Sequence, residues 1–429
     1  MKKKLLYVVL DGVGDLPIAE LGDKTPLEAA KTPNLDRLAK DSKMGLVYTV
    51  GRNIAPESDV AVISLLGYDA SKHYTGRGPL EAFSEGLDIQ DGDLAFRVNF
   101  ATRQTGSNKI LDRRVGRNLT TQEATALAKE MNEKVKLTSA PADFIFKNTI
   151  GHRGILVIKR KDGRLSSEVT NTDPAYEKEG SYGIAKAKFE KIVLKCEPTE
   201  KFKDSKEAIV SAMLTNEFTE KSSEVLEASE INKKRRAEGK VAANVILARD
   251  AGDRLPKFPD LGKMFGAKFG SLVEMPVERG IALLTGMEII KTPLPTGDLE
   301  KDYKLRSGLV LDNVKKFDSI YIHLKGPDEP AHDGNFKKKL ESIEAIDKFF
   351  FSNLLSKIDL KDFLIAVTGD HSTPCKMKAH SADPVPLMIV SAGIASDGLT
   401  SFGESNCKKG SLGELLGPQL MPLFIKHIK

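Results

Sequence analysis

The chain has no tryptophan, only eight tyrosines, and no basic stripe with interleaved aromatics, a composition that argues against a nucleic-acid partner. Its three cysteines (Cys196, Cys375, Cys407) are odd in number and widely spaced. They exclude a disulfide framework and fit a reducing, cytoplasmic setting. No apolar run approaches the length needed to span a bilayer. The net charge is only +5, from 65 basic and 60 acidic residues, so no large polyanion is implied, although local basic clusters can take a small anion. The opening MKKKLLYVVLDG has the outline of a signal peptide. Its apolar run, Leu5 to Leu10, is short and meets Asp11-Gly12 with no small-residue cleavage site, so a soluble protein is expected.

What is present describes an ordinary globular protein: 429 residues, 40% hydrophobic and 29% charged. That length exceeds one average domain, so two domains, or one domain carrying an insertion, are expected. Short bounded apolar runs at Leu5–Leu10, Ser319–Leu324 and Phe363–Val367 read as buried strands. Helical patterns alternate with them. Thr32 and Pro33 open one over Thr32–Asp41, and Leu340, Ile343, Ile346 and Phe350 recur at helical spacing within Phe336–Ile358. The alternation indicates an α/β fold with a mostly parallel sheet and helices on both faces. From about residue 91 to 240 the pattern changes. "LAFRVNFAT", "GILVIKR" and "KIVLKCEP" alternate like strands, and Ser222–Lys240 reads as a charged, solvated helix. The expected organisation is a discontinuous core, 1–91 and 241–429, with an inserted α+β domain at 92–240.

Chemistry gathers where the core strands end, which is where open α/β sheets bind ligands. Leu5–Leu10 ends at Asp11. Ser319–Leu324 leads to Asp328 and His332, four residues apart and on one face if a helical turn forms. Phe363–Val367 leads to Asp370-His371, and the following loop returns His380. Each alone reads as a cap or a chance pair; three of seven histidines beside three aspartates in equivalent places read as divalent-metal ligands. Ser58 opens the apolar run Val60–Leu66. On spacing alone it is an N-cap, and a nucleophile there would have its phosphorylated form stabilised by the helix N-terminus.

Taken together, "LDGVGD" (Leu10–Asp15), "TPLEAAKTPNLDRLA" (Thr25–Ala39), "PESDVAVISLLGYD" (Pro56–Asp69), "YTGRGPLEA" (Tyr74–Ala82), "DRRVGR" (Asp112–Arg117), "KGPDEPAHDG" (Lys325–Gly334) and "TGDHSTPC…HSADPVP" (Thr368–Pro386) resemble the archaeal-type cofactor-independent phosphoglycerate mutases of the alkaline phosphatase superfamily. The resemblance runs nearly end to end. It implies an alkaline-phosphatase-like core, an inserted lid domain and an isomerase that interconverts 3- and 2-phosphoglycerate without 2,3-bisphosphoglycerate. It further implies two divalent ions, one on Asp11, Ser58, Asp370 and His371 and one on Asp328, His332 and His380, with Ser58 as nucleophile. Manganese is the family's habit; magnesium, cobalt or zinc suit the same oxygen and nitrogen donors, and thiolate ligation by Cys375 is not expected. Substrate-binding candidates in the insert are Arg113, Arg114, Arg153, Asp173 and Arg249, with His152 readable equally as packing or contact. The alternative reading is a metal-dependent phosphatase, or a mutase of another phosphorylated metabolite, on the same fold. No sulfatase-type Cys/Ser-x-Pro-x-Arg surrounds Ser58.

Overall fold

The structure, a computed structural model, describes residues 3–179, 182–186 and 188–428. Among these the chain divides into two compact units, Met1–His73 with Lys257–Lys429, and Tyr74–Pro256.

The first unit is built on an eight-stranded sheet. In spatial order its strands are Glu288–Ile289, Phe269–Leu272, Ser319–Leu324, Lys4–Leu10, Phe363–Gly369, Val385–Val390, Ser42–Tyr48 and Gly413–Leu416. Val385–Val390 runs against both its neighbours, and the other pairings are parallel. Both faces of the central strand are covered, which is why its sequence is apolar without alternation. Leu6, Val8 and Leu10 pack with Leu35, Leu38, Ile343, Ile346 and Phe350. On the opposite face Tyr7 meets Phe424 edge-on, ring centroids 4.9 Å apart. Leu10 pairs with both Leu324 and Gly369, so the register brings Asp11, Lys325 and Asp370 out side by side at the carboxyl edge.

The second unit carries an antiparallel sheet. Leu94–Arg103 pairs with Arg153–Arg160, Val245–Gly252 and Ile110–Asp112, and Ala142–Asn148 completes it. Leu94, Phe96, Val98 and Phe100 point into a core shared with Leu127, Met131, Leu214 and Phe218, from the helices Thr121–Lys134 and Lys206–Ala228.

The unit boundaries, at 73/74 and 256/257, fall outside the expected 91/92 and 240/241. The helix Arg77–Ser84 and the strand Val245–Gly252 both belong with Leu94–Arg103, the helix through Ala82 packed with Ala95 and the strand by direct pairing. "KIVLKCEP" forms no strand; it makes only the isolated bridges of Ile192 with Lys109 and Pro198 with Val169. The expected helix over Ser222–Lys240 is two, Lys206–Ala228 and Glu230–Ala237, broken at Ser229, whose hydroxyl caps the second. Nor is it wholly solvated: Ser222, Ser223, Leu226, Asn232 and Arg235 are buried, Arg235 against Glu123 at 2.9 Å.

Candidate active site and metal centre

Three devices aim the ligand candidates. Gly12 takes φ +60° directly after the first strand, and a Cβ there would lie 2.6 Å from Asp328 Oδ1, so only glycine lets the two chain segments approach. Asp328–His332 forms a short helix, which puts both side chains on one face with His332 Nε2 3.4 Å from Asp328 Oδ2. The fully buried Lys339 ammonium bonds Asp15 Oδ2 and Gly14 O at 2.9 Å and Thr373 O at 3.0 Å, tying the loop after Leu10 to the loop after Asp370. Cys375 is buried there, and its amide donates to Asp15 at 3.2 Å.

Asp11, Ser58, Asp328, His332, Asp370, His371 and His380 come together in the first unit. His371 Nε2 stands 3.2 Å from Ser58 Oγ, 3.3 Å from Asp370 Oδ2 and 3.7 Å from Asp11 Oδ1. Its ring stacks on His380 at 3.7 Å between centroids. His380 Nε2 is 3.2 Å from His332 Nε2 and 3.6 Å from Asp328 Oδ1.

The hydrogen bonds behind these groups fix which atoms face inward. His380 Nδ1 lies 2.8 Å from Pro56 O and His332 Nδ1 3.1 Å from Lys378 O, which places a proton on each Nδ1 and turns the two Nε2 atoms toward each other. His371 Nδ1 donates to Thr373 Oγ1 at 2.9 Å, and that hydroxyl donates to Asp328 Oδ1 at 2.7 Å. Asp370 Oδ1 accepts from the amides of Gly12 and His371, whereas its Oδ2, like Asp11 Oδ1, is buried without a hydrogen-bond partner among the described residues. Buried carboxylate oxygens without donors and imidazole Nε2 atoms converging beside them are the donor set of a divalent cation, and these residues fit one.

Burial opposes ionisation of Asp328, but bonds from His332 and His380 hold its pKa well below the usual carboxylate range. Burial likewise opposes charge on His380, and Glu57, Asp328 and the Pro56 carbonyl outweigh it, pushing the imidazole up to about 10. The negative field of the pocket favours a positive charge at this point.

Ser58 is not the cap of its helix. The N-cap of Ser58–Leu65 is Glu57, whose side chain makes no capping bond, and Ser58 is the first helical residue. Its hydroxyl is therefore available to His371 while it keeps its place at the positive end of the helix.

Three groups at the site escape the sequence pattern. His323, fully buried, puts Nε2 3.4 Å from Asp370 Oδ2 and 3.8 Å from Asp11 Oδ1, with Nδ1 3.4 Å from Glu278 Oε1. Lys325 Nζ bridges Glu278 Oε1 at 2.5 Å and Asp11 Oδ2 at 3.2 Å. A histidine inside the buried strand "SIYIHL" was the available signal.

The insert candidates lie in the second unit. Arg113 grips Asp173 with both arms of its guanidinium, Nε to Oδ1 at 2.9 Å and Nη2 to Oδ2 at 2.6 Å. Asp173 is fully buried and also accepts from Ala175 N at 3.1 Å, so it holds Arg113 in place. Arg249 lies over the Tyr176 ring at 3.6 Å. Arg114 and Arg153 are partly buried, and burial followed by neighbouring guanidinium groups lowers the pKa of each.

Comparison with known proteins points to one family. A family model described as 2,3-bisphosphoglycerate-independent phosphoglycerate mutase matches residues 39–232. An Aeropyrum pernix protein of that name is 41% identical over 418 residues, 96% of each chain. Among solved structures, a Pyrococcus horikoshii protein superposes with a TM-score of 0.78 at 30% identity, covering 100% of this chain and 98% of the other. A cofactor-independent phosphoglycerate mutase from Thermoplasma acidophilum does so with 0.62 at 30% identity, covering both chains completely.

Proposed function

The chain belongs to the 2,3-bisphosphoglycerate-independent phosphoglycerate mutases, an isomerase family, and from that premise we propose that it interconverts 3- and 2-phosphoglycerate through a phosphoryl group carried on Ser58. The observation that carries the reading is the position of the Ser58 hydroxyl, 3.2 Å from His371 Nε2 at the first turn of its helix.

Asp11, Ser58, Asp370 and His371 would hold one divalent cation and Asp328, His332 and His380 a second, manganese being favoured. Such ions, when bound, lower the pKa of a serine hydroxyl and neutralise charge on phosphoryl oxygens. Ser58 Oγ takes the phosphoryl group from the 3-oxygen of the substrate, and the serine proton ends on that oxygen. The helix N-terminus at Ser58 favours the phosphoseryl dianion. Glycerate then presents its 2-hydroxyl, the phosphoryl group passes to that oxygen, and the hydroxyl proton returns to Ser58. Exclusion of water while glycerate stays bound separates a mutase from a phosphatase, and we assign retention of glycerate to the arginines of the insert. The setting we infer is the cytoplasm.

Ser58→Ala should abolish turnover while leaving metal content largely intact, since six other donors remain; assay with 3-phosphoglycerate beside elemental analysis checks both. A fully active Ser58→Ala protein would remove the covalent route, and release of inorganic phosphate by the parent protein, instead of 2-phosphoglycerate, would make it a hydrolase.

A further inference from the structure

His332, His371 and His380 each turn Nε2 toward the candidate metal centre and are held from behind at Nδ1. For His380 and His332 the support is a main-chain carbonyl, Pro56 O and Lys378 O. A carbonyl oxygen only accepts, so each of those hydrogen bonds stops at its acceptor. The support of His371 is of another kind. Thr373 Oγ1 stands 2.9 Å from His371 Nδ1 and 2.7 Å from Asp328 Oδ1. A hydroxyl has one proton to give, and an ionised carboxylate can only receive it. The hydroxyl proton therefore goes to Asp328, and the hydroxyl oxygen takes the Nδ1 proton of His371. The relay runs one way, from ring through hydroxyl to carboxylate, and leaves Nε2 as the His371 atom facing Ser58 and Asp370.

Local structure explains how one residue meets both. Ser372 forms β-bridges with Val13 and Ser381, so side chains alternate through this stretch. His371 and Thr373 share one side, and Ser372 Oγ turns to Pro384 O at 3.3 Å. Asp328 arrives from a different element, as the first residue of Asp328–His332. The Thr373 main chain is pinned at both ends: its N–H donates to Gly14 O at 2.9 Å, and its carbonyl accepts from Lys339 Nζ at 3.0 Å. The residue is fully buried, and a Cβ at Gly12 would come within 2.8 Å of its Oγ1. The hydroxyl is thus set in place by contacts other than the ligands. A buried threonine needs only one partner to satisfy it. Here the donor and the acceptor capacity both go to residues proposed for different cations.

We propose that Thr373 is a positioning residue common to both cation sites, its hydroxyl orienting His371 of the one and Asp328 of the other, so that the two sites answer to a single group. This rests on the reading that the seven donors hold two cations. With Oδ1 engaged by Thr373, Asp328 keeps Oδ2 toward His332 Nε2 at 3.4 Å. An ion that orders either ligand orders the hydroxyl the other ligand needs, and coupling of this kind acts equally in both directions.

The test is calorimetric titration of the metal-free, full-length protein with divalent manganese. Each site is also titrated alone, in His332→Ala and Asp11→Asn backgrounds that disable the other. Thr373→Val keeps the shape of the side chain and deletes the hydroxyl, and it should weaken manganese binding by about ten-fold or more in both backgrounds. Thr373→Ser restores the hydroxyl and should stay within about three-fold of the parent in both. Thr373→Val protein that binds manganese within about two-fold of its parent in either background overturns the proposal. A parent protein that takes up fewer than two ions overturns the two-cation reading itself and removes this proposal with it. If Thr373→Val fails to fold, nitrogen-15 imidazole spectra of the metal-free parent decide, His371 being located by the signal lost in His371→Gln. A proton on Nδ1 of His371 is expected, and a proton on Nε2 alone overturns the proposal.

Discussion

His152 is partly buried beside Arg153, and burial first, then Arg153, Arg114, Arg97 and Arg117, pulls it down to about 4. An unfolded histidine titrates near about 6.5. Between these values the unfolded chain holds the additional proton, so stability is present above the window and is lost as the pH falls through it. His152→Gln should flatten the stability-against-pH curve over this range by about 1–2 kcal/mol in urea denaturation, and an unchanged slope would contradict the assignment. From the sequence His152 reads equally as packing or substrate contact, because the guanidinium groups that decide its charge arrive from other strands. The same holds for His323, Glu278 and Lys325, whose meeting with Asp11 and Asp370 depends on register. Asp328 and His332 were legible because one helical turn relates them.

Elements were legible where a single period dominates. Ser319–Leu324 is a strand over the residues its apolar run predicts, and Pro33 opens the helix Pro33–Lys40 after Thr32. "KIVLKCEP" failed because alternation alone cannot supply a neighbouring strand, and Ser222–Lys240 failed because Ser229 is a better cap than a helical interior residue. Ser58 was legible as the start of a helix, while the adjoining Glu57 proved to hold the cap position. The turn between the first strand and the site is the most exacting element. Gly12→Ala puts a methyl group 2.6 Å from Asp328 Oδ1 at φ +60°, and it should displace that carboxylate. Affinity for divalent manganese should fall by about ten-fold or more in a metal titration, with a lower melting temperature. Parent-like affinity would show that the strand end does not set the ligand geometry.

At the scale of the molecule, the sequence separated a parallel-sheet unit from an inserted antiparallel one because their periodicities differ. It misplaced the joints because the helix Arg77–Ser84 and the strand Val245–Gly252 carry no mark of the partner they pack on. The proposed ligands are drawn from residues 11 to 380 and meet only when the whole sheet is assembled, so metal and fold should be linked. Chelation should abolish mutase activity in a coupled enolase assay and lower the melting temperature. Add-back of manganese should restore both, with no stimulation by 2,3-bisphosphoglycerate; activity that survives chelation, or that needs the bisphosphate, would contradict this. The most direct measurement is rapid quenching of the protein during turnover of 3-phosphoglycerate, followed by peptide mass mapping. A phosphoryl group on the peptide at Ser58 is the expected result, and one found on any other residue, with Ser58 unmodified, would contradict the account.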